Sequence, residues 1–175
     1  MPPSPFKTAA NFGAMSALSC FAMFLILYYM GVNPLGPASW LAVWVPPLFI
    51  FLGTKRFRDF ESGGFISYST AFRIGFLTAT CGGLLYALIV YIFGTLIDPA
   101  LIDNFKEMML ADLEETESLM RSVIGDSVYE QSIEEMKNTT LKTIAMTDFF
   151  YKCVGGLIIS LITAAVLKRN HPETI

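Results

Sequence analysis

IGFLTATCGGLLYALIVYIFGTLI, residues Ile74 to Ile97, carries no charged side chain and is closed by Asp98-Pro99. Coiled as an α-helix it reaches about 36 Å at 1.5 Å per residue, more than the roughly 30 Å of hydrocarbon in a bilayer. A soluble helix this long would keep one face charged; this one has no such face. The stretch reads as a membrane span, and it is not alone.

Working back from it, Ala9 to Met30 is a second uncharged run, preceded by Lys7 and ended by Gly31-Val32-Asn33-Pro34. It exceeds the roughly 7–15 apolar residues of a cleaved signal peptide, and Gly36-Pro37-Ala38 is a poor cleavage site, so an uncleaved helix is expected. Ser39 to Thr54 is a shorter span with Pro46-Pro47 inside it, which predicts a kink; Trp40 and Trp44 at its start fit an interfacial aromatic belt. Towards the C-terminus, about Phe149 to Leu167 is the fourth span, followed by Lys168-Arg169. Lys152 is the only charge within it. An interfacial ion pair with Asp148, one turn earlier, is the expected arrangement.

Composition agrees with four spans (about 9–30, 39–54, 74–97 and 149–167). Of 175 residues, 54% are hydrophobic and only 15% charged, with fifteen Phe and nine Met. Soluble domains are about 25% charged. The whole chain, 1–175, is expected to form a single integral membrane domain. Lysine and arginine collect in cytoplasmic loops. Here they sit at Lys7, at Lys55, Arg56, Arg58 and Arg73, and at Lys168 and Arg169, which four spans place on one side; the Gly31–Ala38 loop has none. Both termini are therefore expected in the cytoplasm.

Residues 98–148 then lie outside it, with twelve acids against four bases. Leu101, Phe105, Met108 or Met109, Leu113, Met120 and Ile124 recur at helical spacing, as do Tyr129, Ile133, Met136, Leu141 and Ile144. Gly125-Asp126 divides the runs, and Asp126 or Ser127 is a candidate cap for the second. The expected architecture is all-α: a four-helix transmembrane bundle with an extracytoplasmic amphipathic helical hairpin between spans three and four. The second arm is placed to run straight into span four.

Catalytic chemistry is conspicuously thin. His171 is the single histidine, in the tail, which removes most zinc sites and catalytic triads. Phosphate-binding and nucleophile-elbow motifs are missing, as is a D-x-D-x-D-G calcium loop. Cys20, Cys81 and Cys153 lie inside spans; residue counting puts Cys81 and Cys153 too far apart in depth for a shared metal or disulfide. Asn138-Thr139-Thr140 matches a glycosylation sequon, which matters only in a eukaryotic secretory route. No basic cluster with interleaved aromatics suggests nucleic acid. No catalytic, cofactor-binding or metal-binding residue is assigned, and no enzyme activity is expected.

Small residues form two stripes: Gly75, Ala79, Gly83 and Ala87 in span three, and Gly156, Ser160 and Ala164 in span four. That spacing lets backbones approach closely in lipid. Counting from span centres predicts that the stripes meet near Gly83 and Ser160.

Arg56-Phe57-Arg58-Asp59, Gly63-Gly64-Phe65-Ile66-Ser67, Ala71-Phe72-Arg73-Ile74-Gly75-Phe76 and Leu96-Ile97-Asp98-Pro99, with the ending Gly156 to Ile162 and Leu167-Lys168-Arg169, resemble a bacterial membrane family. That family is known only as a domain of unknown function, number 4199 in its series. The resemblance covers most of the chain and implies four helices in a bacterial cytoplasmic (inner) membrane. It supplies no activity or ligand. The expected function is that of a non-enzymatic structural or accessory protein, in contact with the lipid bilayer and with a protein partner or further copies of itself. A small oligomeric transporter or channel component is the alternative, and the lack of an ionisable residue at mid-membrane in the sequence reading weighs against it.

Overall fold

The computed structural model describes residues 4–169. Seven α-helices follow one another: α1 Pro5–Tyr29, α2 Val45–Arg56, α3 Tyr68–Ile92, α4 Leu101–Glu115, α5 Glu117–Ile124, α6 Asp126–Asn138 and α7 Leu141–Leu167. One π-type turn extends α2 to Glu61 and another extends α3 to Ile97. Counting those turns, and the 3-10 segment Pro37–Ala42 before α2, four stretches are long and apolar enough to cross a membrane: Pro5–Tyr29, Pro37–Glu61, Tyr68–Ile97 and Leu141–Leu167. The chain has the build of a multi-pass membrane protein.

The second of these is not a kinked helix. Pro46 and Pro47 occupy the first turn of α2, where the amide a proline lacks would have no helical partner anyway. The backbone reaches that start through the 3-10 segment, none of whose residues is buried. Trp40 and Trp44 stand exposed beside the join, 72% and 78% accessible.

At the centre of the bundle, α3 packs along α1 on one side and α7 on the other, and α2 touches all three. Ala9 lies with Ala71 and Ile74, Gly13 with Thr78 and Gly82, and Phe24 with Val90 and Phe93, so α1 and α3 run parallel. Along α7 the order reverses: Ser160 meets Gly75, Gly156 meets Ala79, Lys152 meets Gly83 and Leu141 meets Gly94. The small-residue stripes do face each other, but the expected Gly83–Ser160 meeting is displaced by about two turns. The helices outrun their uncharged stretches, α3 beginning at Tyr68 with Ser67 as its cap and α7 at Leu141 with Thr140 as its cap. Centres counted from charged residues were therefore misplaced. The same shift brings Cys153 beside Thr80, next to Cys81, so those two thiols lie at similar depth rather than far apart; both are free.

Hydroxyls within the bundle satisfy themselves locally. Ser160 donates to the Gly156 carbonyl, Thr54 to Ile50 and Thr78 to Ile74. Each covers a carbonyl one turn back and leaves its helix free to pack closely.

The three basic segments gather at one end. Thr8 donates to Glu61 at 2.7 Å, and Ile66 and Arg169 exchange a pair of backbone hydrogen bonds, both 2.9 Å. At the opposite end the insert docks through Leu101 and Phe105, which are buried, and through Met108 against Gly36. The insert is a helical hairpin whose first arm is broken. Thr116 interrupts it between α4 and α5, its hydroxyl turned back to the Asp112 carbonyl. Gly125, at a φ of 83°, makes the reversal, and neither Asp126 nor Ser127 caps α6. Nor does α6 run on into the last span: Thr139 and Thr140 are extended, and α7 starts afresh.

Candidate functional site

Lys152 sits eleven residues into α7, about 16 Å from the helix start, and its stem packs on Gly83 halfway along α3. Lys152 thus stands nearer the middle of its helix than the uncharged stretch suggests, because α7 begins about two turns before Phe149. Lys152 Nζ is bound to both oxygens of the Asp148 carboxylate and lies 4.2 Å from the centre of the Tyr86 ring. The three groups come from two helices held together by the small-residue stripes, so the packing that fixes α3 on α7 also sets this cluster.

A small cavity with room for about one water lies beside the lysine. Ser16, Ala17 and Cys20 of α1, Pro46 of α2, and Gly82, Gly83 and Tyr86 of α3 line it with Lys152. Ser16 is only 5% exposed and turns towards this cavity from α1. Above Pro46, towards the insert, the 3-10 segment packs on α1 and buries nothing, so α2 supplies no helix there to close the bundle. An ion pair inside a span is costly unless partnered, and it marks a functional position far more often than one at the edge. The sequence held the signal, since Asp148 and Lys152 stand one turn apart; where α7 begins, and so which residues of α3 the pair meets, was the missing quantity.

The insert has its own ionic centre. Arg121 of α5 donates to Glu117 at 2.7 Å, to Asp126 at 3.0 Å and to Glu130 of α6 at 2.5 Å, and lies 4.4 Å over the Tyr129 ring. Those bonds, with Glu130 foremost, raise the guanidinium pKa further above its already high ordinary value. Tyr129 is buried, its hydroxyl donates to the Leu113 carbonyl of α4, and burial raises its pKa. One arginine and one tyrosine therefore tie α4, α5 and α6 together. On the far side of α5, Leu119 and Val123 point outward, 63% and 72% exposed among acidic neighbours.

A family model described as a protein of unknown function (DUF4199) matches residues 11–169. The chain belongs to that family. The match includes the first candidate span from Asn11 onward, the other three spans entire, the insert, and the Asp148–Lys152–Tyr86 cluster, and the family resemblance read from the sequence stands confirmed. No curated protein and no solved structure matches the chain. Among the described residues, no group of His, Cys, Asp and Glu is placed to hold a metal ion. His171 falls outside the described residues. Asn138 lies on an open acidic groove with Gln131, Glu134, Glu135, Thr139 and Thr143.

Proposed function

We propose that the chain is a non-enzymatic accessory protein of the bacterial cytoplasmic membrane, and that its extracytoplasmic insert engages a partner protein through α5. The observation that carries this reading is the exposure of Leu119 and Val123 on a helix whose other face is fixed by Arg121. Neighbouring apolar side chains held outward on a rigid element and rimmed by charge have the make-up of a contact patch. The acidic excess of the insert, twelve acids against four bases over residues 98–148, favours a partner with basic residues around an apolar centre. Small size and the lack of a catalytic constellation fit the same role.

A Leu119→Glu/Val123→Glu double variant tests it. With unaltered protein purified in mild detergent after in-cell crosslinking, a defined partner is expected to co-purify, and the double variant should lose it while keeping its helical circular dichroism. Recovery of the same partner with both proteins would refute the α5 surface. The alternative, a component of a small transporter or channel, draws on a different observation: the Asp148–Lys152 pair inside the bundle.

A further inference from the structure

We propose that two copies of the chain associate through the outward side of α1, with their Asn11 side chains hydrogen-bonded to each other across the seam. Asn11 is the one carboxamide side chain in the four spans. It is exposed, and among the described residues nothing bonds to its amide. The exposed Thr95 hydroxyl, by contrast, closes on the Tyr91 carbonyl of its own helix.

The level of Asn11 is inside the span. Ala9 lies with Ala71 and Ile74, and Gly13 with Thr78, which sets Asn11 beside the level where Gly75 meets Ser160. From Ser160 the last span runs on uncharged to Leu167, about 10 Å further. Lys55 and Arg73 start near the same level, but their long stems can carry the charge out to the interface. The asparagine stem is a single methylene and has no such reach. An amide held in hydrocarbon without a partner is unfavourable, and a bond to another helix removes the penalty.

The rest of this side fits a second copy of the same helix. Asn11, Met15, Leu18, Ala22, Leu25 and Tyr29 follow at alternating intervals of four and three, the spacing of a seam between two left-handed supercoiled helices. Met15 and Leu18 are 51% and 57% exposed, Ala22 and Tyr29 are exposed, and Leu25 is half-buried. The seam lies opposite the side on which Ala9, Gly13, Ala17, Cys20 and Phe24 are buried in the bundle. Ala22, small and near its middle, lets the two backbones approach. Copies inserted in one membrane share one orientation, so a closed pair has its two-fold axis along the membrane normal. Each α1 then runs parallel to its mate, and every seam residue meets itself at its own depth. A carboxamide suits that meeting, because it carries both donor and acceptor and each can donate to the other's oxygen. A lone charge there would repel its copy. One polar residue on an apolar seam also fixes the register. This inference does not depend on the α5 contact patch.

The test uses the full chain in native membranes, with Cys20, Cys81 and Cys153 replaced by alanine. Leu18→Cys puts a thiol on the seam; Val154→Cys puts one on the exposed side of α7, which α3 separates from α1. Mild oxidation is expected to give a disulfide-linked pair of chains from Leu18→Cys and little or none from Val154→Cys. No pair from Leu18→Cys, equal pairing from both, or capture of a different protein at Leu18→Cys overturns the seam. The amide is tested by energy transfer between copies carrying donor or acceptor dyes on the insert, diluted in lipid vesicles. Asn11→Leu supplies the apolar side chain that an outward position in a span ordinarily carries, so the fold itself does not need the amide. It is expected to weaken pairing about tenfold, the measure of a pair of hydrogen bonds between helices, while Asn11→Gln keeps most of it. Asn11→Leu that pairs as tightly as the unaltered chain overturns the Asn11 contact. Energy transfer no greater than random collision in the unaltered chain overturns the pair.

Discussion

Gly156 shows how much a single missing side chain decides. A Cβ built on it would overlap the Ala79 methyl group, whereas one built on Gly155, its neighbour, meets nothing within 4 Å. Gly13 is as constrained: its Cβ would fall 2.9 Å from the Thr78 carbonyl oxygen and 3.0 Å from the Gly82 nitrogen, atoms of backbone that cannot move aside. Gly156→Val should therefore destabilise the bundle by about 1–3 kcal/mol or more, the ordinary cost of overpacking, and Gly155→Val should cost much less. Unfolding of both variants in mixed micelles of increasing denaturing detergent measures the difference; equal losses would show that α3 and α7 are not in contact there. Part of this was legible in the sequence. The stripe through Gly156, Ser160 and Ala164 identified the packing face, because spacing alone fixes which side chains share a helix face. Its register was not legible, because helix ends lie beyond the charged residues that appear to bound them.

Elements of the insert illustrate the same division. Apolar periodicity marked Leu101, Phe105, Ile133 and Met136 as inward positions; the first two are buried and the others half-buried. The break at Thr116 left no such trace, since one hydroxyl bonding back to Asp112 is a local competition that periodicity does not register. What holds the pieces is the Arg121–Tyr129 centre, and Tyr129 gives it a pH dependence. Burial raises the phenol pKa in the fold above its unfolded value, so the neutral ring contributes its full stability below about pH 10. That contribution fades as pH rises through the folded value, when a phenolate would face the Leu113 carbonyl. Near-UV circular dichroism of the insert should thus hold steady through neutrality and fall on the alkaline side. Tyr129→Phe should remove that step and, having lost the bond to Leu113, start from lower stability. An alkaline step unchanged in Tyr129→Phe would assign it elsewhere.

For the whole molecule, orientation is the property on which the proposed role rests, and the fold makes it an all-or-none question. Thr8 is bonded to Glu61 and Ile66 to Arg169, so the N-terminal segment, the loop after α2 and the end of α7 share one end of the bundle. The insert is at the other end, beyond Asp98 and before Leu141. Lys55, Arg56, Arg58, Arg73, Lys168 and Arg169 occupy the first end, and basic residues are retained in the cytoplasm during insertion. The prediction is that Ser118, exposed at the start of α5, faces outward and Ser62, in the turn after α2, faces the cytoplasm. Single cysteines at these positions, in a chain whose Cys20, Cys81 and Cys153 are replaced by alanine, can be probed with an impermeant maleimide on intact spheroplasts. Ser118→Cys should label at once and Ser62→Cys only after the membrane is opened. The opposite pattern would turn the protein over, placing the acidic insert and the α5 patch in the cytoplasm and ending the case for an extracytoplasmic partner. Labelling of both would be more radical. It would require an odd number of crossings between two sites that the bundle separates by α3 alone to become an even one, and the 3-10 entry to α2, with its exposed Trp40 and Trp44, is where a span could be lost without exposing any buried residue. Loss of α2 leaves Ser62 and Ser118 still divided by α3, however, so double labelling would have to unseat α3 itself. With α1 on one flank and α7 on the other, that is the helix the packing makes hardest to move.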